Sequence, residues 1–255
     1  MRRGLLSLFM IVCFTTLLPS CSSSSSSKAN SKIVGKWNTE EIKNDGDFEY
    51  ESGPFSMIWT TKPGKEDTAI TIDFGGLKLP ITVTEIPKQL EGPISEILSK
   101  ILKDVSFEKN GNIIATYSDL KIEDDVIAAP QWKTSSPKLA SYKVKSETEL
   151  LLILHIEEII KEATKAKDWK DDIQSLLKEG IPVKYSLDEK NNKLKCYLDK
   201  SNMLTFLNIV LQLEELLTED VLGELAPFIK PVLEQLPGVL DNTDQLEVGL
   251  IFKKG

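Results

Sequence analysis

The sequence predicts an α+β protein that is mostly β with substantial α: an antiparallel β-barrel or strongly curved sheet, with helical insertions that cover or plug it. Short segments in which β-branched and apolar residues alternate with polar ones recur along the chain, which is typical of strands with one buried face. Two hairpin turns join such segments, and three longer stretches have apolar residues at helical spacing. Strands with a single apolar face need covering or closure, and a barrel removes their free edges.

The first 20 residues have the organisation of a secretory signal peptide. Arg2 and Arg3 form a positive n-region, an apolar stretch covers residues 4–18, and a small residue precedes Cys21. The apolar stretch is shorter than the roughly 20 residues that a membrane-spanning helix needs. The boundary resembles the lipobox of bacterial lipoproteins, which implies that the thiol of Cys21 is lipidated. The alternative is a plain secretory peptide that leaves Cys21 unmodified.

The remainder of the chain is expected to form a linker and one domain. Residues 21–31 are rich in serine, which predicts a flexible linker. Residues 32–255 are numerous enough to bury a sizeable core and are expected to form a single domain. Helical insertions are predicted within it at about residues 90–103, 157–178 and 201–236.

The charge balance excludes one class of partner. The chain has 31 lysines and arginines against 39 acidic residues, a net charge of −8. Its only arginines are Arg2 and Arg3, so loss of residues 1–20 leaves 29 lysines and lowers the net charge to −10. Affinity for nucleic acid comes mainly from neutralising phosphates, for which the arginine fork is well suited. We therefore expect no nucleic-acid partner.

The first half of the domain is predicted to alternate strands with one helix. Strands are expected over residues 33–37, 56–61, 69–74 and 81–85. Trp37 is expected to point inward from the first of them. Residues 90–103 then change to a helical period, with Leu98 and Ile101 on the apolar face and Ser95 on the polar face.

Later strands are predicted mainly from their turns. Asn110-Gly111 predicts a tight type I′ hairpin, since both residue types tolerate positive φ. A second hairpin places Cys196 on its inward face, where the thiol is expected to be inert packing. The strands expected in this part of the chain cover residues 105–107, 113–117, 138–145, 149–156, 182–187, 193–198 and 245–253.

The C-terminal third contains the most apolar helix. Residues 201–217 are apolar around most of the helical circumference, which predicts deep burial or contact with lipid. The segment has 17 residues and includes Asn208 and Gln212, so we do not expect it to span a membrane. A second helical stripe follows, and Pro227 and Pro231 are each expected to kink or restart it.

No motif of a known catalytic or metal site is present. His155 is the only histidine, and the chain has no HExxH, nucleophile-elbow, Walker or dinucleotide pattern. The acidic clusters at residues 45–51, 123–125 and 171–172 lack the spacing of a calcium loop. We therefore expect no catalytic residue, no metal and no cofactor, and a structural role for His155.

Gly35-Lys36-Trp37 carries a resemblance to a known family. An early Gly-x-Trp on the first strand, after a lipidated cysteine and a serine-rich linker, resembles the lipocalin-like lipoproteins of Bacteroidetes. The hairpin around residues 107–117 and the terminal strand over residues 248–253 are similar to theirs. The resemblance covers the strands, roughly half of the domain, and departs in the helices of residues 201–236. It implies a lipocalin-like barrel in a group whose members mostly have no assigned activity.

These observations lead to an expected function. A barrel of this size can hold a small ligand, so we expect a non-catalytic binding module for an apolar or amphipathic molecule. Trp132, Phe206 and Leu213 are the candidate ligand contacts, and residues 201–236 are expected to act as a plug or lid over the barrel mouth. The lipid on Cys21 implies an anchor in the outer membrane. The serines after it lack acidic residues that resemble surface-export signals, which favours a periplasm-facing domain.

Three alternatives stay open. The protein is instead a structural or assembly lipoprotein if its apolar helices dock an envelope protein. It is a hydrolase if polar groups of an unrecognised type converge in the fold. For the fold itself, the alternative is a long curved sheet wrapped around an apolar helix, as in tubular lipid-binding domains.

Overall fold

The computed structural model describes residues 30–44, 50–74, 77–120, 122–123, 126–155, 180–212 and 226–255. The predicted signal peptide, Cys21, the predicted helix over residues 157–178 and Leu213 lie outside these residues. The first described element is a helix that begins at Asn30, so it overlaps the last two residues of the predicted linker, which ends at residue 31.

The described elements alternate short strands with a few helices. The helices are α1 Asn30–Ile33, α2 Ile86–Ile101, α3 Lys200–Gln212 and α4 Ala226–Asp241. The strands of the first half are β1 Gly35–Thr39, β2 Lys43–Asn44, β3 Tyr50–Ser52, β4 Phe55–Thr61, β5 Ala69–Phe74, β6 Leu77–Thr82, β7 Leu102–Phe107 and β8 Ile113–Tyr117. The strands of the second half are β9 Ile122–Glu123, β10 Val126–Ile127, β11 Lys133–Thr134, β12 Ala140–Val144, β13 Glu149–Leu154, β14 Ile181–Asp188, β15 Lys193–Asp199 and β16 Thr243–Lys254.

Ten of these strands form one antiparallel sheet that curls strongly. Its order is β11-β8-β7-β1-β16-β15-β14-β13-β12, and β4 pairs with β16 beside β1. The curl brings β8 back towards β12: Asn112 and Ser141 form an antiparallel bridge, and the Tyr142 N–H donates to the Gly111 carbonyl at 2.6 Å. The prediction of a β-rich fold built on a strongly curved antiparallel sheet with helices is confirmed.

The inner face of the sheet is filled by side chains. Alternate residues of each strand point inward, as the period of two requires. On β14 and β15 the inward residues Val183, Tyr185, Leu194 and Cys196 are buried, as the sequence predicts. Trp37 is also buried, and its indole N–H donates to the Ile33 carbonyl at 2.7 Å, which ties β1 to α1. We call this cluster the sheet core.

A second apolar cluster, the end core, lies beyond one end of the sheet core. Its buried members are Trp59, Ile70, Val83, Ile86, Leu207, Val239, Leu240 and Leu246. The long strand β16 connects the two clusters, since Leu250 and Phe252 belong to the sheet core and Leu246 to the end core. Met57 and Val248 pack against both.

Helix α2 differs from its prediction in position and in burial. It begins at Ile86 rather than residue 90, with Pro87 in the first turn, where a missing N–H costs nothing. Ser95 was expected on the polar face but is fully buried. The physical reason is that α2 packs against β3 and β4, so this side of the helix is covered.

Two turns also differ from expectation. Of Asn110 and Gly111 only the glycine has positive φ, at +89°, so the hairpin is not type I′. The reason is loop length: five residues separate the paired Phe107 and Ile113, whereas a type I′ turn suits a two-residue loop. The predicted strand over residues 81–85 ends at Thr82 as part of β6, because the Glu85 N–H donates to the Thr82 carbonyl at 3.0 Å and closes a turn directly before α2.

The described segments of residues 201–236 are helical, as predicted, but the last helix is longer than predicted. Helix α4 continues through Pro231 and Pro237 to Asp241, beyond the predicted end at residue 236. Burial of Val239 and Leu240 in the end core holds its last turn in place. None of the helices in the described ranges combines the length and apolarity needed to cross a bilayer.

Candidate ligand-binding cavity

An apolar cavity of about 320 Å³ lies at the end of the curled sheet. Its floor is formed by strands: β4 contributes Phe55, Met57 and Trp59, which alternate along one face, and β16 contributes Leu246 and Val248. The same face of β16 continues into the sheet core. The cavity therefore lies next to the sheet core, at the end where the inward side chains of the curled sheet no longer fill the space.

Helix α2 forms a second wall. Ile86, Leu90 and Ile94 lie at spacings of four residues, which places them on one side of the helix towards the cavity. Gln89 also lines the cavity and is the only polar side chain among its described lining residues.

The remaining walls come from a small hairpin and from the C-terminal helices. The β5–β6 hairpin is a separate two-stranded sheet and contributes Ile70 and Ile81. Helix α3 contributes Met203 and helix α4 contributes Leu236. Helices that the sequence predicts as a plug or lid thus supply one side of an apolar cavity.

Hydrogen bonds fix the floor of the cavity to α4. The indole N–H of Trp59 donates to the Thr243 hydroxyl at 2.8 Å, and that hydroxyl donates to the Val239 carbonyl at 3.1 Å. Thr243 is fully buried, so its two hydrogen bonds satisfy a polar group that would otherwise be costly. The chain of contacts sets the Trp59 ring in one position.

Side chains of α2 accept hydrogen bonds from backbone N–H groups of β4, on the edge of β4 that faces away from β16. The Met57 N–H donates to a Glu91 carboxylate oxygen at 2.7 Å, and the Phe55 N–H donates to the Ser95 hydroxyl at 3.3 Å. Two acceptors four residues apart on the helix, Glu91 and Ser95, thereby bond two N–H groups that lie two residues apart on the strand. The Tyr50 hydroxyl lies 2.9 Å from the Ser95 hydroxyl, and burial raises the pKa of Tyr50 above its ordinary value of 10.0.

The β5–β6 hairpin is attached to α4 through one side chain. The Gln235 amide accepts from the Thr71 N–H at 2.8 Å and donates to the Thr71 carbonyl at 2.9 Å. A primary amide used in this way reproduces the pairing of a neighbouring strand. The hairpin is thereby held over the cavity although it does not join the main sheet.

The cavity opens at α2. Gln89 and Leu90 are its exposed lining residues, and Leu90 is 40% exposed. The other described lining residues are buried or half-buried. Among the described lining residues, Gln89 and Leu90 therefore mark the exposed end of the cavity, and Trp59 and Leu246 lie at its buried end.

Two of the three predicted ligand contacts, Trp132 and Phe206, are not among the described lining residues of this cavity. Trp132 lies in the loop before β11 and is 38% exposed. Phe206 is half-buried on α3 and packs against the sheet core, three residues after the lining residue Met203. Leu213 lies outside the described residues, so the three candidates stay predictions.

Sequence reasoning missed the lining residues of β4 and α2. Alternation identifies the inward faces of Met57 and Trp59, and helical spacing identifies that of Ile94. Neither signal shows whether inward side chains pack against the opposite element or leave a cavity beside it. The outcome depends on the distance between elements that are remote in sequence.

Polar groups that suggest chemistry are few in the described residues. The Ser141 hydroxyl lies 2.8 Å from His155 Nε2, but Ser141 is 5% exposed and no described carboxylate is hydrogen-bonded to His155. Burial raises the pKa of the Cys196 thiol to about 12, which suppresses the thiolate at neutral pH. No cluster of three or more His, Cys, Asp or Glu side chains within the described ranges is arranged to hold a metal ion.

A second, shallower groove of about 440 Å³ runs beside the start of α3. Three of its charged side chains have partners: Lys200 Nζ donates to the Thr243 carbonyl at 2.6 Å, Asp199 accepts from the Asn202 N–H at 2.8 Å, and Glu247 pairs with Lys195 at 2.6 Å. We therefore regard it as a solvated surface between paired side chains.

Comparisons of this chain with models of protein families, with curated proteins and with solved structures found no match. The resemblance to lipocalin-like lipoproteins therefore stays a prediction. The site itself is defined by the lining residues of the apolar cavity, their hydrogen bonds and its opening at α2.

Proposed function

We propose that this protein is a membrane-tethered lipoprotein of the cell envelope that binds a small apolar or amphipathic molecule without catalysing a reaction on it. The observation that carries the binding function is the apolar cavity of about 320 Å³. Ligand pockets range from about 300 to 1,000 Å³ and are lined mostly by apolar side chains with a few polar groups. The volume and lining of this cavity fall within that description, at the small end.

Physical chemistry also predicts how affinity depends on the ligand. Each methylene that enters the cavity contributes about 0.8 kcal/mol, which is roughly a fourfold gain in affinity. The gain ends when the chain no longer fits between Trp59 and the opening at Leu90. A homologous series of linear alcohols should therefore bind more tightly with length and then reach a plateau.

The proposed membrane tether consists of a lipidated Cys21 and the serine-rich residues after it. Two or more acyl chains on one cysteine are sufficient for stable anchoring, whereas a single chain gives only marginal binding. A flexible linker over residues 21–31 would keep the cavity close to the membrane, where amphipathic molecules are concentrated. The outer membrane, with the domain facing the periplasm, is the proposed location.

The finer fold is part of the same proposal. The contact between β8 and β12 at Asn112 and Ser141 supports a lipocalin-like barrel. In this barrel the sheet core occupies the interior, with Phe107, Tyr185 and Phe252 all buried. The ligand site would then lie at the end of the barrel rather than within it.

Displacement of an uncharged apolar dye tests the binding function. Purified protein should enhance the fluorescence of N-phenyl-1-naphthylamine, and linear alcohols should displace the dye. Met57→Trp fills the cavity and should reduce dye affinity at least about tenfold, since the inserted ring occupies the volume needed by the dye. Ile58→Trp is the matched control, because Ile58 is the next residue of β4 and points away from the cavity.

The variants separate a cavity ligand from dye bound elsewhere. Equal dye binding by Met57→Trp and the native protein would contradict the proposed site. Absence of displaceable binding by the native protein would contradict the binding function as a whole.

A further inference from the structure

We infer that the ligand of the apolar cavity has an uncharged, hydrogen-bonding head group, such as a hydroxyl or a primary amide, on an apolar tail. The inference rests on the proposed binding function and specifies the chemical class of the molecule bound. It follows from the distribution of polar groups between the interior and the opening of the cavity.

The interior of the cavity accepts only an apolar tail. Trp59, Ile70 and Leu246 are buried there, and no described lining residue carries a charge. The indole N–H of Trp59 is already used by Thr243 at 2.8 Å. A charged group placed at this depth would lose its hydration without gaining a partner among the described lining residues, which is strongly unfavourable. The head group must therefore remain at the opening.

The opening offers one uncharged hydrogen-bonding side chain among the described lining residues. Gln89 is exposed beside Leu90, and its primary amide both donates and accepts hydrogen bonds. A hydroxyl or amide head group can use both functions at once. A carboxylate can use only the donor, because it has no proton to give at neutral pH.

A carboxylate on the same side of α2 as Gln89 disfavours a carboxylate head group. Glu85 precedes Gln89 by four residues, which places the two side chains on the same side of α2. Lys88 is adjacent in sequence and therefore points about 100° away around the helix. Glu85 accepts a hydrogen bond from the Thr82 hydroxyl at 2.6 Å, and an ammonium head, which has donors only, can use only the acceptor of the Gln89 amide.

Three ligands with the same tail and different heads test the inference. Decan-1-ol, decanoate and decylammonium are used at pH 7 to displace N-phenyl-1-naphthylamine from the purified protein. We expect decan-1-ol to bind at least about tenfold more tightly than either charged ligand, because its head is not desolvated as an ion.

A lysine at the opening should change this order. In Gln89→Lys the ammonium can pair with a carboxylate head, so the affinity for decanoate relative to decan-1-ol should rise about tenfold. Gln131→Lys is the control, because Gln131 is also exposed but lies in the loop before β11, away from the cavity. It adds the same charge to the protein and should leave the ratio unchanged.

The outcomes separate the head-group inference from the binding function. If the native protein binds decanoate or decylammonium as tightly as decan-1-ol, the inference is wrong while the binding function stands. An unchanged ratio in Gln89→Lys would also overturn it, because the head group would then lie away from Gln89. If none of the three ligands displaces the dye and the dye itself does not bind, the proposed function fails as well.

Discussion

At the level of single residues, the closest packing occurs between β15 and β16. Gly249 lies opposite Tyr197, and a Cβ atom on it would come within 2.5 Å of the Tyr197 Cβ and closer still to the Cys196 carbonyl oxygen. Real Cβ atoms do not approach other atoms so closely, and the nearest atom belongs to the backbone of a central strand. The glycine is therefore required by space rather than by backbone conformation.

Gly249→Ala is expected to lower the free energy of unfolding by about 1–3 kcal/mol, because β15 and β16 must separate to admit the methyl group. Urea unfolding followed by circular dichroism measures the change. Gly238→Ala is the control: a methyl group added there, in α4, would meet no atom within 4 Å, and alanine favours the helix. A variant at residue 249 as stable as the native protein would show that the strands are not so close.

Cys196 has a consequence for stability at high pH. Burial raises the pKa of its thiol from 9.0 to about 12 in the folded protein. The unfolded chain therefore releases this proton at lower pH than the folded protein does. The stability contributed by the neutral thiol is complete below about pH 9 and is lost as the pH rises towards 12.

Cys196→Ala should therefore make the pH dependence shallower. One such proton contributes a slope of about 1.4 kcal/mol per pH unit between these two values, and the variant removes it. The free energy of unfolding measured in urea from pH 8 to pH 12 tests this. Leu198→Ala is the control, because it also removes buried atoms from β15 but leaves the thiol in place. Equal slopes in native protein and Cys196→Ala would contradict the expectation.

At the level of helices and strands, the contact between α2 and β4 carries the largest departure from the sequence prediction. Helical spacing correctly identifies Leu98 and Ile101 as buried. It assigns Ser95 to the solvent, because Ser95 falls with Glu96, Ser99 and Lys100 on the polar side of the helical pattern. The fold instead gives Ser95 two partners, the Tyr50 hydroxyl and the Phe55 N–H, which come from segments 45 and 40 residues away.

Ser95→Ala should lower the free energy of unfolding by about 1–3 kcal/mol, because it removes a buried hydroxyl that accepts from the Phe55 N–H and bonds the Tyr50 hydroxyl. Ser99→Ala is the matched control one turn later on α2. The Ser99 hydroxyl only donates back to the Glu96 carbonyl at 2.7 Å, so its loss should change stability by less than about 0.5 kcal/mol. Similar losses in both variants would contradict the special role of Ser95.

Across the molecule as a whole, the two apolar clusters differ in how completely their side chains fill the space between elements. The sheet core is filled by its own side chains, whereas the end core leaves the cavity between β4, β16, α2 and the β5–β6 hairpin. The strand β16 is long enough, at 12 residues, to belong to both. We therefore expect the curled sheet to be formed whether or not the cavity is occupied, because the packing of the sheet core does not use the space of the cavity.

The proposed tether predicts the chemistry of the N-terminus. Mass spectrometry of the mature protein should find an acylated Cys21 as the first residue, and Cys21→Ser should move the protein from the membrane to the soluble fraction. Cys13→Ser is the control, because residue 13 lies in the apolar stretch that signal cleavage removes. A free thiol and a free amine at Cys21 would contradict lipidation.

The longer strands from residue 102 onward and their inward faces follow from local sequence patterns alone, whereas the two-residue strands β9, β10 and β11 are too short to show such a pattern. The alternation at Val183, Tyr185 and Cys196 requires one buried face, and the strands predicted from residue 105 onward coincide with observed strands to within three residues. Local patterns suffice here because the period of two is a property of the backbone and the need to bury apolar surface acts on each strand separately.

The space left between the apolar faces, in contrast, is settled by the folded chain. Trp59, Leu90 and Leu246 carry the same local signal as residues of the filled sheet core, yet they surround a cavity. The difference arises from the distance at which α2 and the β5–β6 hairpin are held, through Ser95 and Gln235, from strands far away in sequence. No local pattern encodes that distance, because it is set jointly by side chains that meet only in the folded chain.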